Sequence, residues 1–140
     1  MQDAVKTKKT IEELNEIADR VVDAIFSVHR TIGPGFNESI YEACLIEEFM
    51  LRGIGFQSQL QIPVKYKGKQ LDKFFKLDLI AEDEIIVELK TVSEILPVHK
   101  AQLLSYLKLA GKRLGYVANF NVALMKDGIR RVRLDDATRT

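Results

Sequence analysis

Phe74-Phe75-Lys76-Leu77-Asp78-Leu79-Ile80 and Ile85-Ile86-Val87-Glu88-Leu89-Lys90, joined by Ala81-Glu82-Asp83-Glu84, carry the reading that decides the fold. Both segments are apolar and rich in β-formers, and the acidic link between them reads as a turn, so the stretch predicts two strands of one hairpin. Strands of this composition bury at least one face, so Asp78, Glu88 and Lys90 are polar groups in need of partners. A hairpin centred on Asp83 sets Asp78 opposite Glu88, Leu77 opposite Leu89 and Leu79 opposite Val87, with one consistent apolar face. Directly opposed side chains have Cβ atoms ~4.5–5.5 Å apart, where like charges destabilise. A shared proton, a cation or Lys90 would compensate, since Lys90 lies two residues beyond Glu88 on the same strand face.

Two carboxylates and an amine in one place suit phosphodiester chemistry. Mg²⁺ takes carboxylate oxygens and keeps several waters. Such a metal polarises a phosphoryl oxygen and lowers the pKa of its water. A lysine beside it orients that water or neutralises charge building on the phosphate. The plainer alternative is an ion cluster on a solvated strand face, because an Asp-x₉-Glu-x-Lys spacing is short and degenerate.

Working outward, Thr10-Ile11-Glu12-Glu13 is a capping box with Thr10 as N-cap. Apolar residues then recur at Ile11, Leu14, Ile17, Val21, Ile25, Val28 and Ile32, the period of an amphipathic helix, until Gly33-Pro34-Gly35 stops it. A second helix is predicted from Asn37 or Glu38 to about Arg52. Phe56 to Tyr66 reads as a strand, Lys67-Gly68-Lys69 as a turn, and Leu71 to Ile80 and Ile85 to Val92 as the next two strands. Pro97 opens a third helix that ends at Gly111. Leu114 to Phe120 and Ile129 to Leu134 close the series, giving α-α-β-β-β-α-β-β: a mixed sheet flanked by helices.

The chain of 140 residues is long enough for a single core, and its 46% hydrophobic and 29% charged content suits a globular domain. One cysteine, Cys44, excludes an internal disulfide and any cysteine-based zinc cluster; its setting reads as a helix interior. No apolar run approaches ~18 residues, so no membrane span and no membrane partner are expected. Met1-Gln2-Asp3-Ala4-Val5-Lys6 lacks an apolar signal core, which favours a cytoplasmic location. Net charge is only +1, too balanced to argue for nucleic acid, but Lys65, Lys67, Lys69, Lys73 and Lys76 cluster along the chain. Of these, Lys65, Lys67, Lys73 and Lys76 are candidate phosphate contacts; solubilising lysines on an exposed hairpin are the plainer alternative.

Two helical elements extend the strand set. Glu38 falls in the first turn of the second helix, where a glutamate also meets the helix dipole favourably. Tyr41, one turn on, is a packing candidate. Gln102 and Tyr106 are spaced i, i+4 on the third helix and share a face able to point at the strands. His29 and His99 have no ligand spacing to each other or to Cys44, and His99 is placed to help cap the third helix.

Together these pieces resemble the GxxExxY family, a branch of the PD-(D/E)XK nuclease-like superfamily. The eponymous motif stands as Gly35, Glu38 and Tyr41, the core motif as Asp78 then Glu88-Leu89-Lys90, and the helix motif as Gln102-Leu103-Leu104-Ser105-Tyr106. Leu96-Pro97-Val98-His99-Lys100-Ala101-Gln102 and Asn119-Phe120-Asn121-Val122 are also similar to that family, and the resemblance covers residues 10–134. Leu77 departs from the pattern, standing where the superfamily's name has proline. The resemblance implies a restriction-endonuclease-like αβββαβ core, flanked by a flexible segment at 1–9 and a tail at 135–140. It further implies Mg²⁺- or Mn²⁺-dependent phosphodiester cleavage by a deoxyribonuclease, exonuclease-like, in repair, recombination or defence. Asp78, Glu88 and the Leu89 main-chain carbonyl would ligate metal, with Glu38 a further candidate ligand. Lys90 would assist the water, and Glu38, Gln102 and Tyr106 resemble the extra elements of recombination-type exonucleases. The competing expectations are a non-catalytic nucleic-acid-binding module and a homodimeric interaction domain on the same fold.

Overall fold

The computed structural model describes residues 8–134; the segments 1–7 and 135–140, which hold most of the expected flexible N-terminal stretch and all of the expected tail, lie outside it. Helix α1 (Ile11–Ile32) begins as its capping box dictates: Glu13 N–H donates to Thr10 Oγ1 at 3.1 Å and Thr10 N–H to Glu13 Oε1 at 2.8 Å. Helix α2 (Glu38–Arg52) is capped by the Asn37 side chain and ends at Gly53, which takes the left-handed conformation open to glycine. Three strands follow: β1 (Phe56–Tyr66), β2 (Lys69–Ala81) and β3 (Ile85–Lys90). Helix α3 (Pro97–Ala110) then crosses to β4 (Leu114–Asn119), and a short 3₁₀ turn at Met125–Asp127 leads into β5 (Ile129–Arg133).

The strands form one mixed sheet in the order β1-β2-β3-β4-β5, with β3 and β4 parallel and the other pairs antiparallel. Helices α1 and α2 cover one face. There Tyr41, Leu45 and Phe49 of α2 and Val21, Ile25 and Val28 of α1 pack on Leu79, Val87, Leu89 and Ala118. Helix α3 covers the other face, where Leu103 and Leu107 meet Leu77, Ile80, Ile86 and Val117. Fully burying each large aliphatic side chain stabilises by about 1.5–3 kcal/mol, so both layers hold the sheet firmly. Gly115 is required beneath α3: a Cβ there would stand 2.9 Å from the Ile86 carbonyl and 3.1 Å from Leu103.

Four strand limits move from the expected ones, two of them for a clear local reason. Strand β2 starts at Lys69 rather than Leu71, because Lys67 (φ 50°) and Gly68 (φ 81°) form a two-residue turn with both residues left-handed. Strand β3 stops at Lys90 rather than Val92, because Asn119 takes both main-chain groups of Val92 with its side-chain amide. Strands β4 and β5 each end one residue early, at Asn119 and Arg133.

The expected hairpin register holds near the turn and fails beyond it. Ala81 pairs with Ile85, Ile80 with Ile86 and Leu79 with Val87, and there the ladder ends. Leu77 does not join Leu79 on one apolar face; it packs under α3 with Ile80, while Leu79 packs under α1 and α2. The alternation of β2 therefore reverses at Asp78. In β1 the same reversal falls at Gln59, which has φ 51°: Phe56 joins the α1 layer and Leu60 the α3 layer.

Candidate functional site

Where the β2–β3 ladder stops, carboxylates replace carbonyls. Asp78 N–H donates to Glu88 Oε2 at 2.9 Å, and Leu89 N–H donates to Asp78 Oδ2 at 2.8 Å. Each acid thus binds the main chain of the opposite strand. Where the carboxyl is ionised, such a bond is charge-assisted and about twice as strong as a neutral one. They also explain the reversal: a strand cannot keep its pleat while its side chain occupies the ladder position.

The charges around this opening are strongly coupled. Glu88 is buried, at 5% exposure, and burial followed by the Asp78 charge pushes its pKa up to about 8; the Asp78 N–H and Lys90 pull against this, and Glu38 adds to it. Burial raises Asp78 too, opposed by the Leu89 N–H, by Lys90 and by a hydrogen bond from Gln59. At the start of α2, Glu38 is exposed as a residue, yet desolvation of its carboxyl raises its pKa, with Asp78 and Glu42 adding to the effect and Lys90 opposing it. Tyr106 on α3 is raised by burial and then by Glu88 and Asp78. Four elements therefore bring Glu38, Asp78, Glu88, Lys90 and Tyr106 into one electrostatic neighbourhood.

Each of these side chains has a local anchor. Tyr106 stacks on Phe75 with ring centroids 4.6 Å apart. Glu38 follows a loop pinned by Tyr41, which is fully buried, stacks on Phe120 at 4.4 Å and donates its hydroxyl to the Gly33 carbonyl at 2.6 Å. Packing is thus what Tyr41 does. His99 Nδ1 accepts from Leu96 N–H at 2.9 Å, capping α3, and buried His29 hydrogen-bonds the Val122 carbonyl at 2.8 Å.

Lys90 pairs with Asn119 across the parallel β3–β4 ladder. Asn119 is almost completely buried; its Oδ1 accepts from Val92 N–H at 3.0 Å and its Nδ2 donates to Val92 O at 2.9 Å. That clamp fixes the chain where it leaves Lys90.

Not every expected residue joins the cluster. Gln102 is exposed, and no hydrogen bond ties it to Asp78, Glu88 or Lys90 among the described residues. Lys65, Lys67, Lys73 and Lys76 are all exposed on the β1–β2 hairpin. Lys67 lies over the Tyr66 ring at 5.5 Å. Sequence reasoning assigned no role to Asn119, Gln59 or Glu42. Asn119 stands in the quoted Asn119-Phe120-Asn121-Val122 motif, but its clamp depends on β4 lying beside β3.

The donor set suits a cation that uses few protein ligands. Among the described residues no three acidic, histidine or cysteine groups are gathered as a side-chain cage. Asp78 and Glu88 stand as a pair, and Glu88 Oε1 accepts no hydrogen bond among the described residues. Mg²⁺ is held this way, by one or two carboxylates with water and substrate phosphate completing its shell.

The family model described as the PD-(D/E)XK nuclease superfamily matches residues 15–132. The chain belongs to the PD-(D/E)XK nuclease superfamily, and its five-stranded mixed sheet flanked by helices is a restriction-endonuclease-like fold. A solved structure titled "Crystal structure of SSO0001" aligns over 91% of this chain at 20% identity and a TM-score of 0.48. This chain spans 63% of that chain's length. No curated protein matches the sequence. No helix among the described residues is long and apolar enough to cross a membrane.

Proposed function

We propose that this protein is a divalent-metal-dependent nuclease that hydrolyses phosphodiester bonds, with DNA as its substrate and Mg²⁺ or Mn²⁺ as its metal. One observation carries the reading: in a chain of this superfamily, Asp78 and Glu88 leave the strand ladder and share one neighbourhood with Lys90, Glu38 and Tyr106. Asp78 and Glu88 would hold the cation, with the Leu89 carbonyl and Glu38 as further candidate ligands. When bound, the cation would polarise a phosphoryl oxygen and lower the pKa of its water. Lys90, fixed by the β4 pairing and the Asn119 clamp, would orient the attacking water and balance charge on the phosphate. Tyr106 can donate its hydroxyl to a phosphate oxygen, and the exposed hairpin lysines would meet the nucleic-acid backbone. The Gly35, Glu38 and Tyr41 motif supports the finer placement in the GxxExxY branch.

The test is cleavage of linear and circular DNA, single-stranded DNA and RNA with Mg²⁺ or Mn²⁺. Glu88→Ala and Lys90→Ala should each lower turnover by about 10³-fold or more while the protein stays folded. Activity that survives both substitutions sinks the mechanism. Salt-sensitive DNA binding with no metal-dependent turnover in the unaltered protein would instead favour a binding module.

A further inference from the structure

The residue facing Asp78 from the other side is Gln59. In the β1–β2 ladder Ser58 pairs with Leu79 and Leu60 with Leu77, so the register sets Gln59 opposite Asp78, yet this pair alone is skipped between them. Gln59 has φ 51°, a left-handed conformation rare for residues other than glycine, asparagine and aspartate. Held strain of this kind clusters where structure serves a site.

Its side chain is committed at both ends of a bridge. Nε2 donates to Glu42 Oε2 at 2.6 Å. The register sets the same residue opposite Asp78, and the Gln59 side chain opposes the effect of burial on that carboxylate. A carboxamide NH₂ carries two donors, so one nitrogen can serve a carboxylate on α2 and a carboxylate on β2 together. Asp78 is held on one side by the Leu89 N–H and faces, on the other, a residue whose amide is anchored to Glu42.

We infer that Gln59 is a positioning residue of the site, which, anchored by Glu42, sets the orientation of the Asp78 carboxylate toward a divalent cation. The inference rests on the metal-dependent reading proposed above. It makes a left-handed glutamine in a strand intelligible: the kink falls at the residue opposite Asp78. The plain alternative is a surface strut between β1 and α2, holding the edge strand and nothing else.

Gln59→Gly separates the two, because glycine takes φ 51° without strain and removes only the amide. Thermal unfolding of the metal-free protein is measured first, then Mn²⁺ binding by electron paramagnetic resonance on the same samples. The expected result is an unchanged unfolding midpoint with Mn²⁺ affinity lowered about 10–100-fold, the usual effect of losing a partner behind a metal ligand. Glu42→Ala, which leaves Gln59 in place but unanchored, should give a smaller loss in the same direction. If Gln59→Gly binds Mn²⁺ as tightly as the unaltered chain, the inference falls and the nuclease reading stands. If the unaltered chain takes up no Mn²⁺, the metal-dependent reading falls and takes this inference with it.

Discussion

The two ends of the β2–β3 hairpin are built from the same strands and behave in opposite ways. At the turn end, Leu79, Ile80 and Ala81 pair regularly with Val87, Ile86 and Ile85, and all six side chains are buried. At the other end, Asp78 and Glu88 take the place of ladder carbonyls and accept the main-chain N–H groups themselves. The closed end is stable because nothing there is charged; the open end is tolerable because the closed end, α2, α3 and β4 hold it. Burying two carboxylates costs stability unless they are paired and hydrogen-bonded. The hairpin thus spends apolar packing at one end to keep an uncomfortable charge cluster at the other.

The largest effect is expected at the closed end. Leu79→Ala should cost about 2–5 kcal/mol, read from the urea midpoint, because it leaves a cavity between the sheet and α1. Mn²⁺ binding by the fraction that stays folded should persist. A loss below 1 kcal/mol would show that the turn end is not what holds the opening together.

Asn119→Ala should cost about 1–3 kcal/mol, since it strands both main-chain groups of Val92 behind Lys90. Hydrogen exchange should locate the new mobility between residues 90 and 93, with the closed end unchanged.

The open end should show the opposite sign. Glu88 keeps its proton up to about pH 8 in the folded chain but loses it near the ordinary carboxylate value when unfolded. The native state therefore binds more protons across that window, and metal-free stability falls as pH rises through it. Glu88→Gln removes this group's share of the dependence, and should be more stable than the unaltered metal-free protein at pH 8 by about 1–3 kcal/mol, with the difference vanishing near pH 4. Denaturant melts at the two pH values check it; a variant that is less stable at pH 8 refutes the account of the open end.

The smallest effect is that of metal. Mg²⁺ at about ten times its dissociation constant should stabilise the unaltered protein by about 1.4 kcal/mol, seen as a rise in melting temperature. An Asp78→Asn, Glu88→Gln double variant should show no rise.

Much of the closed end was legible in the chain itself. The Thr10 box, the Gly33-Pro34-Gly35 break, Pro97 and Gly111 mark helix limits by local chemistry that tertiary structure had no reason to override. The turn at Glu82-Asp83 sets the first three pairs because short-range register follows the turn. The open end was legible as a set of residues but not as a geometry. Leu77, Leu79, Ile80 and Ala81 are all apolar, so alternation cannot say which of them faces which helix, and the reversal at Asp78 is invisible. Glutamine is no turn former, so nothing local marks Gln59 as left-handed. The Asn119 clamp depends on a parallel neighbour supplied across α3, and Gln59 meets Glu42 only because α2 lies over the edge of the sheet.

The kink at Gln59 has a consequence for how molecules of this chain meet each other. Strand β1 is an outer edge of the sheet, and an exposed edge invites another chain to add a strand. Its ladder with β2 skips one pair at Gln59 and shifts register once, between Pro63 and Lys65, so no more than four consecutive residues, Leu60 to Pro63, pair without a break. The opposite edge, β5, carries Arg130 and Arg131 exposed, and charged side chains on an edge discourage added strands. A visiting strand finds an interrupted strand at one edge and basic side chains at the other. The same irregularity that opens room beside Asp78 thereby protects the protein from edge-to-edge aggregation.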